Sequence, residues 1–394
     1  MKKIGFVIPW YAENIPGGAE METREVTKHL KAAGLDVEIL TTCVKEFGSD
    51  WNKNFYPEGE EIVHNVPVKR FKVRKRDTRA FAAVNTKLMN GTVPTAEEQQ
   101  IFVDEMVNSP DLYKYIKKHS REYTAFVYIP YMFGTTYFGV KTCPEKAVLI
   151  PCFHDEAYVY MDIFRSLYSK AAGMIFNARP EYELTKRLYD IENMQTVVMG
   201  IGMDTDLTSD AAAFRKKFGI SEPFIIYAGR KDAGKNVHTL VKYFSEYRKR
   251  RVTDLKLVLI GGGEIQIPAD VRDHVIDLGF VDRQDKYDAI AASEFLCQPS
   301  KNESFSLVIM ESWLCGRPVL VHEKCAVTAN FAREAEGGLY FNDYFEFEGC
   351  TDFFLSKKDT AAQMGRNGCA YVKKNFDWDI IVDKYKEFFN NMDN

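Results

Sequence analysis

The sequence has no C-x-x-C pair among its eight cysteines, and no histidine stands at zinc-ligand spacing from any of them. That excludes the common structural zinc sites and points to reduced thiols in a cytoplasmic protein. A large excess of charge is also missing: 52 Lys and Arg against 56 Asp and Glu leave a net charge of -4, which gives no basis for wrapping nucleic acid. The longest apolar stretch, Ala125 to Val140, is broken by Pro130, Gly134, Thr135 and Thr136, so it does not read as a membrane span. Met1 to Lys3 lead straight into "IGFVIPW", too short for a signal peptide and without a small-residue cleavage site, so none is expected here. No low-complexity tract interrupts the 394 residues, 46% of them hydrophobic. One core rarely grows past about 250–300 residues, so two domains are expected.

What is present is a repeating alternation. Apolar runs of strand length, each followed by a segment of helical period, imply parallel sheets built from βαβ units. In the first half these runs are "KIGFVIPW", "DVEILTT", "VPVKRFKV", "TAFVYIP", "AVLIP", "GMIFN" and "TVVMG"; in the second, "PFIIYAG", "LKLVLIGGG", "HVIDLGF", "EFLCQPS" and "RPVLVH". Between them "GIGMDTDLTSD" reads as a linker. The expected architecture is α/β, with two tandem Rossmann-like, doubly wound domains, 1–205 and 206–375, and a ligand cleft between them. The apolar spacing of 376–394 predicts a terminal helix that packs back on the first domain. The charged region 78–120 reads as inserted helices.

Three glycine-rich turns follow strands: "NIPGGAE" with Gly17 and Gly18, "AGRKDAGKN", and "IGGGE". Each offers backbone N–H groups to an anion at a helix start, or else supplies glycine only where a tight turn needs it, the favoured reading for "IGGGE". None matches a dinucleotide fingerprint. Arg230 and Lys235 flank the second turn, a planar fork and a point charge that suit a diphosphate; two incidental cations on a solvated loop are the alternative.

Glu303 and Glu311, in "SKNESFSLVIMESWLCGRPVL", pose the sharpest question, because Glu311 is embedded in an apolar run where a charge needs a reason. Counted along a helix they stand about 12 Å and about 80° apart, too far for a shared proton or for a glycosidase pair. That spacing fits the distance from a sugar ring to the ribose of a nucleotide diphosphate sugar. The amides of Phe305, Ser306 and Leu307 would then form a helix N-terminus that seats the diphosphate.

These motifs, "NESFSLVIMESWLCGRPVL" with "GRKDAGKN", "LVLIGGGE" and "LGFVDRQDKYDAIAASEFLCQPS" in order, together with "PGGAE" and "CFHDE", resemble the retaining glycosyltransferases of family 4, which have the GT-B architecture. The resemblance spans most of the chain and is sharpest in its second half. It implies that Glu311 binds the ribose hydroxyls, Glu303 the donor sugar, Arg230 and Lys235 the diphosphate, and His154 the sugar near the reacting carbon. Ser304 joins the donor-binding segment, and Gly17 and Gly18 approach the donor phosphate and the acceptor. It implies a metal-independent enzyme without cofactor that takes a nucleotide-sugar donor and a glycan or lipid-linked acceptor. The family usually has glycine where this chain has Ser306, and a glycine pair where it has Cys325 and Ala326; the second departure bears on donor identity.

Two features compete for attention. Asp204 and Asp206 form a D-x-D sequence like a metal site, but in the linker, where a turn or cap is the better reading. His154 alone would be a hydrogen-bonded core histidine; its place directly after "AVLIP" favours the site. The basic run "VKRFKVRKRDTR" reads either as a solvated edge or as a contact to an anionic acceptor at a membrane surface. The rival functions are a nucleotide-sugar 2-epimerase of the same architecture and a non-catalytic glycan-binding protein.

Overall fold

The structure, a computed structural model, describes residues 1–393. The chain forms two compact units, one of 1–202 with 378–394 and one of 203–377. Met203 closes the second unit on itself: its amide donates to Phe376 O at 2.7 Å and it bridges to Asp377.

The first unit is built on an eight-stranded sheet of order β3-β4-β2-β1-β5-β6-β7-β8. Its strands are β1 Lys3–Ile8, β2 Val37–Thr42, β3 Gly59–Val63, β4 Val66–Phe71, β5 Tyr123–Tyr128, β6 Ala147–Leu149, β7 Gly173–Phe176 and β8 Gln195–Val198. β2 and β5 are buried along their whole length, as expected where helices cover both faces of a parallel sheet. β3 alone runs antiparallel, as a hairpin on β4. The region 78–120 holds the helices Thr78–Met89, Ala96–Asp104 and Pro110–His119. Pro at the first turn of the last of these and a Thr95–Glu98 capping box at the second fix where they start. The terminal helix Trp378–Asp393 belongs to this unit: Trp378 stacks on His29 at 3.8 Å, and Gln195 Nε2 donates to Phe388 O at 2.7 Å.

The second unit is a six-stranded parallel sheet of order β11-β10-β9-β12-β13-β14. The strands are β9 Phe224–Ala228, β10 Lys256–Ile260, β11 Val275–Gly279, β12 Phe295–Gln298, β13 Val319–His322 and β14 Gly338–Phe341. In doubly wound sheets, ligands bind beyond the carboxyl ends of the strands where the order reverses. That point lies between β1 and β5 in the first unit and between β9 and β12 in the second. Among the described residues no helix is long and apolar enough to cross a membrane.

Candidate active site

In the second unit, the loops that leave β9 and β12 meet at the switch point. Asn236 Nδ2 donates to Pro299 O at 2.9 Å and so ties one to the other. Lys235 on the first loop and Glu303 on the second form an ion pair of 2.7 Å, with the Glu303 side chain only 10% exposed. Asp232 turns the first loop by accepting from the Lys235 amide at 3.0 Å. Arg230 is open to solvent at 71% and 3.5 Å from Asp232. Its neighbour Lys231, which the sequence reading passed over, is buried and paired with Asp277 on β11 at 2.6 Å.

The third loop, after β10, closes against the first. Lys231 N donates to Gly262 O at 2.8 Å, and a Cβ at Gly261 would come within 2.1 Å of Gly229 O. The glycines of "IGGGE" therefore serve more than a tight turn: they let two loop backbones touch.

The helix after β12 runs Leu307–Leu314, with Ser306 as its N-cap at φ 72. Glu303 thus lies on the preceding loop, and the helical count from Glu303 to Glu311 does not apply. The helix start expected at Phe305, Ser306 and Leu307 is shifted as well: Ser306 precedes it, and Phe305 is buried edge-on against Phe331 and Phe376 at 5.2 and 5.0 Å. The left-handed backbone at Ser306 explains why glycine is the usual residue there. Its hydroxyl is buried without a hydrogen-bond partner. Ser304 lies half-buried between Glu303 and this turn, and Leu307 half-buried at the first helical position.

Glu311 is buried in this helix and is not alone. Lys286, on the helix Arg283–Ala292, reaches Glu311 Oε1 at 2.6 Å, and Tyr287 OH approaches the same oxygen at 3.5 Å. Arg283 donates to Tyr287 OH at 2.6 Å and to Asp204 Oδ2 at 2.7 Å. Burial, then the nearby Glu311 charge, push the Tyr287 hydroxyl up to about 12, so it stays a donor. Asp204 is thereby committed to an arginine. Lys286 and Tyr287 were not singled out from sequence; a cation in the helix preceding an apolar helix with one carboxylate was the available signal.

In the first unit, Gly17 caps the helix Gly18–Ala32 at φ 143, and a Cβ there would collide with the Glu20 carboxylate. Gly18 has open space around it. Glu20 accepts from Trp10 Nε1 in the loop after β1. His154 follows β6, half-buried, with Nδ1 3.8 Å from Glu156. Its segment is anchored by Glu181, which accepts from the amides of Phe153 at 2.7 Å and Asn177 at 2.8 Å; Asn177 Nδ2 in turn donates to Glu22 at 2.9 Å. Burial drives the carboxyls of Glu22 and Glu181 up to about 8. The structure brings Lys235 together with Glu303, and Glu311 with Lys286, in the second unit; Gly17, Gly18 and His154 stand in the first.

Residues 210–370, within this second unit, match the sequence profile of the family described as "Glycosyl transferases group 1". A D-inositol 3-phosphate glycosyltransferase of Xylanimonas cellulosilytica is 31% identical over 169 residues, 38% of this chain and 40% of that protein. An N-acetylgalactosaminyltransferase of Campylobacter jejuni that acts on a diphospho-undecaprenol-linked sugar is 26% identical over 58% of this chain and 61% of its own. The matched stretches thus span less than two thirds of these relatives. The fold extends over the whole chain: sucrose-phosphate synthase of Thermosynechococcus elongatus superposes with a TM-score of 0.71 at 18% identity, covering 100% of this chain and 99% of that one. The Anabaena protein HepE, in complex with UDP and glucose, gives 0.69 at 16%, covering 99% and 100%. The architecture is GT-B.

Proposed function

We propose that this protein is a metal-independent, retaining glycosyltransferase of family 4 that moves a sugar from a nucleotide diphosphate donor to a hydroxyl acceptor in the cytoplasm, in polysaccharide or glycolipid synthesis. The observation that carries the reading is the Lys235–Glu303 pair, assembled from the two loops that flank the switch point of the second sheet. A diphosphate entering there competes for Lys235 and releases Glu303 to accept from sugar hydroxyls, so the pair exchanges an internal partner for the two ends of one ligand. Arg230, already in solvent, adds a planar fork. As the glycosidic bond breaks, negative charge grows on the leaving diphosphate, and these cations, with the amides at the start of Leu307–Leu314, stabilise it. Glu311, held by Lys286 through Oε1, keeps Oε2 for the ribose hydroxyls.

The test is a panel of nucleotide sugars read by thermal unfolding, then turnover of the stabilising donor with and without EDTA, with the product anomer determined by NMR. Stabilisation by one nucleotide sugar, transfer that survives chelation and a retained anomer are expected. A donor converted to its 2-epimer without any acceptor would replace this reading with the epimerase.

A further inference from the structure

The basic run that starts in β4 and continues into the loop after it is partly neutralised. Lys69 pairs with Glu60 at 2.7 Å, Arg70 with Glu61, Lys72 with Glu58 at 3.2 Å and Arg74 with Glu105 at 3.2 Å. Arg76 is different. Its guanidinium sits in the corner made by two aromatic rings that meet edge to face at 6.3 Å, 4.7 Å from the centroid of Trp51 and 4.5 Å from that of Phe81. Its Nε is buried with no hydrogen-bond partner, and no carboxylate is within ion-pair distance among the described residues. Three acids lie near it and none pairs with it: Asp77 accepts from the amides of Arg79 and Ala80, Glu105 takes Arg74 and the Asp77 amide, and Asp50 accepts from the Asn52 amide, so Glu105 and Asp50 act on Arg76 only through their charge. The backbone is pinned too, since Asn52 Oδ1 accepts from Arg76 N at 2.7 Å and Asn54 Oδ1 from Val73 N at 2.8 Å.

A stacked arginine costs little further entropy to use and presents its donors in a fixed plane. Burial opposes the charge of this half-buried cation, Glu105 and Asp50 offset that only in part, and its Nε stays unsatisfied, so a ligand that accepts from the guanidinium stabilises it. The location supplies a reason. Trp51 stands 5.6 Å from Trp10 and 6.0 Å from Phe133, which follow β1 and β5, the two strands at the switch point of the first sheet. Trp10 in turn holds Glu20 beneath the Gly17 turn. Phe47, 60% exposed, leans on Trp51 at 5.8 Å and offers an apolar face beside the cation.

We propose that Arg76, seated against Trp51 and Phe81, is the receptor for an anionic group, phosphate or carboxylate, carried by the acceptor substrate. The word acceptor rests on the glycosyltransferase reading; the anion site does not. Calorimetry separates the two. The titrants are glucose 6-phosphate and glucuronate against neutral glucose, phosphatidylglycerol vesicles against phosphatidylcholine vesicles, and UDP as a reference for the second unit. Wild type should bind an anionic titrant in the sugar arm or the vesicle arm roughly tenfold or more tightly than its neutral counterpart, and Arg76→Gln should remove that advantage while UDP affinity stays unchanged. The arm that responds says whether the anion is borne by a soluble sugar or by a lipid headgroup. Arg76→Lys, which keeps the charge but loses the fork and the stack, should lie between, and serves alone if Arg76→Gln fails to fold. Equal affinity of wild type and variants in every arm, or no preference of wild type for an anion, overturns the proposal. Failure of UDP to bind would count against the glycosyltransferase reading and leave the anion result standing.

Discussion

Lys235 Nζ lies 2.7 Å from Glu303 Oε1, and the two residues come from loops 68 positions apart in sequence. Each is the other's counter-ion, so neither is an uncompensated charge in a half-buried place. On the proposed function, the diphosphate replaces a bond that Lys235 already makes.

Glu303→Ala should therefore leave affinity for the free nucleoside diphosphate unchanged or raise it, since Lys235 loses its competitor. Turnover of the nucleotide sugar should drop, because the contact that orients the sugar is gone. Lys235→Ala should weaken nucleoside diphosphate and nucleotide sugar alike, by about 1.5–3 kcal/mol for a charge-assisted bond. Calorimetry on both variants with both ligands decides it; weaker diphosphate binding by Glu303→Ala would sink the exchange of partners.

Glu311→Ala should cost both ligands about 1.5–3 kcal/mol, because both carry the ribose. It should also destabilise the empty protein, since Lys286 is left without its 2.6 Å partner. The double variant Glu311→Ala, Lys286→Met should recover the melting temperature and leave the affinity low. Recovered affinity in the double variant would mean that Glu311 only balances Lys286.

Ser306 at φ 72, with a buried unpaired hydroxyl, is a strained position. Ser306→Gly should stabilise the fold by about 1 kcal/mol in denaturant unfolding, the usual scale of a left-handed non-glycine residue. Ser306→Val should destabilise it. Unchanged stability in both would show that the backbone there is relaxed.

The strand runs were legible wherever both faces of the strand are buried, as at β2, β5 and β9. β3, "GEEIV", was not, because it is an exposed edge whose glutamates pair with Lys69 and Arg70 on the neighbouring strand instead of packing. β14 is short and only partly covered. The candidate site residues were picked by motif, but the helical count from Glu303 does not apply because the helix begins only at Leu307, after a left-handed residue at Ser306, and a serine gives no local signal of that. The pairing of Lys286, and the ion pairs that Lys69, Arg70, Lys72 and Arg74 make and Arg76 does not, depend on partners elsewhere in the chain, which no local pattern carries.

His322 ends β13 and is buried at 3% exposure. Burial, then the charges of Lys301 and Lys324, pull its imidazole down from 6.5 to about 4. Its Nδ1 accepts from the Lys324 amide at 3.2 Å, so the folded protein holds the neutral ring. Below pH 6.5 the unfolded chain takes up a proton that the folded one refuses, so the unfolded state binds more protons and stability falls with acidification. The loss should develop between about pH 6.5 and pH 4 and reach no more than about 3.4 kcal/mol. His322→Asn retains an acceptor for the Lys324 amide and cannot titrate, so its stability should be flatter across this window while other acid-sensitive groups contribute equally to both proteins. Urea midpoints of the two proteins at pH 7, 6, 5 and 4.5 give the comparison directly. Parallel curves would mean that the folded state admits the imidazolium, with the two lysines moving aside.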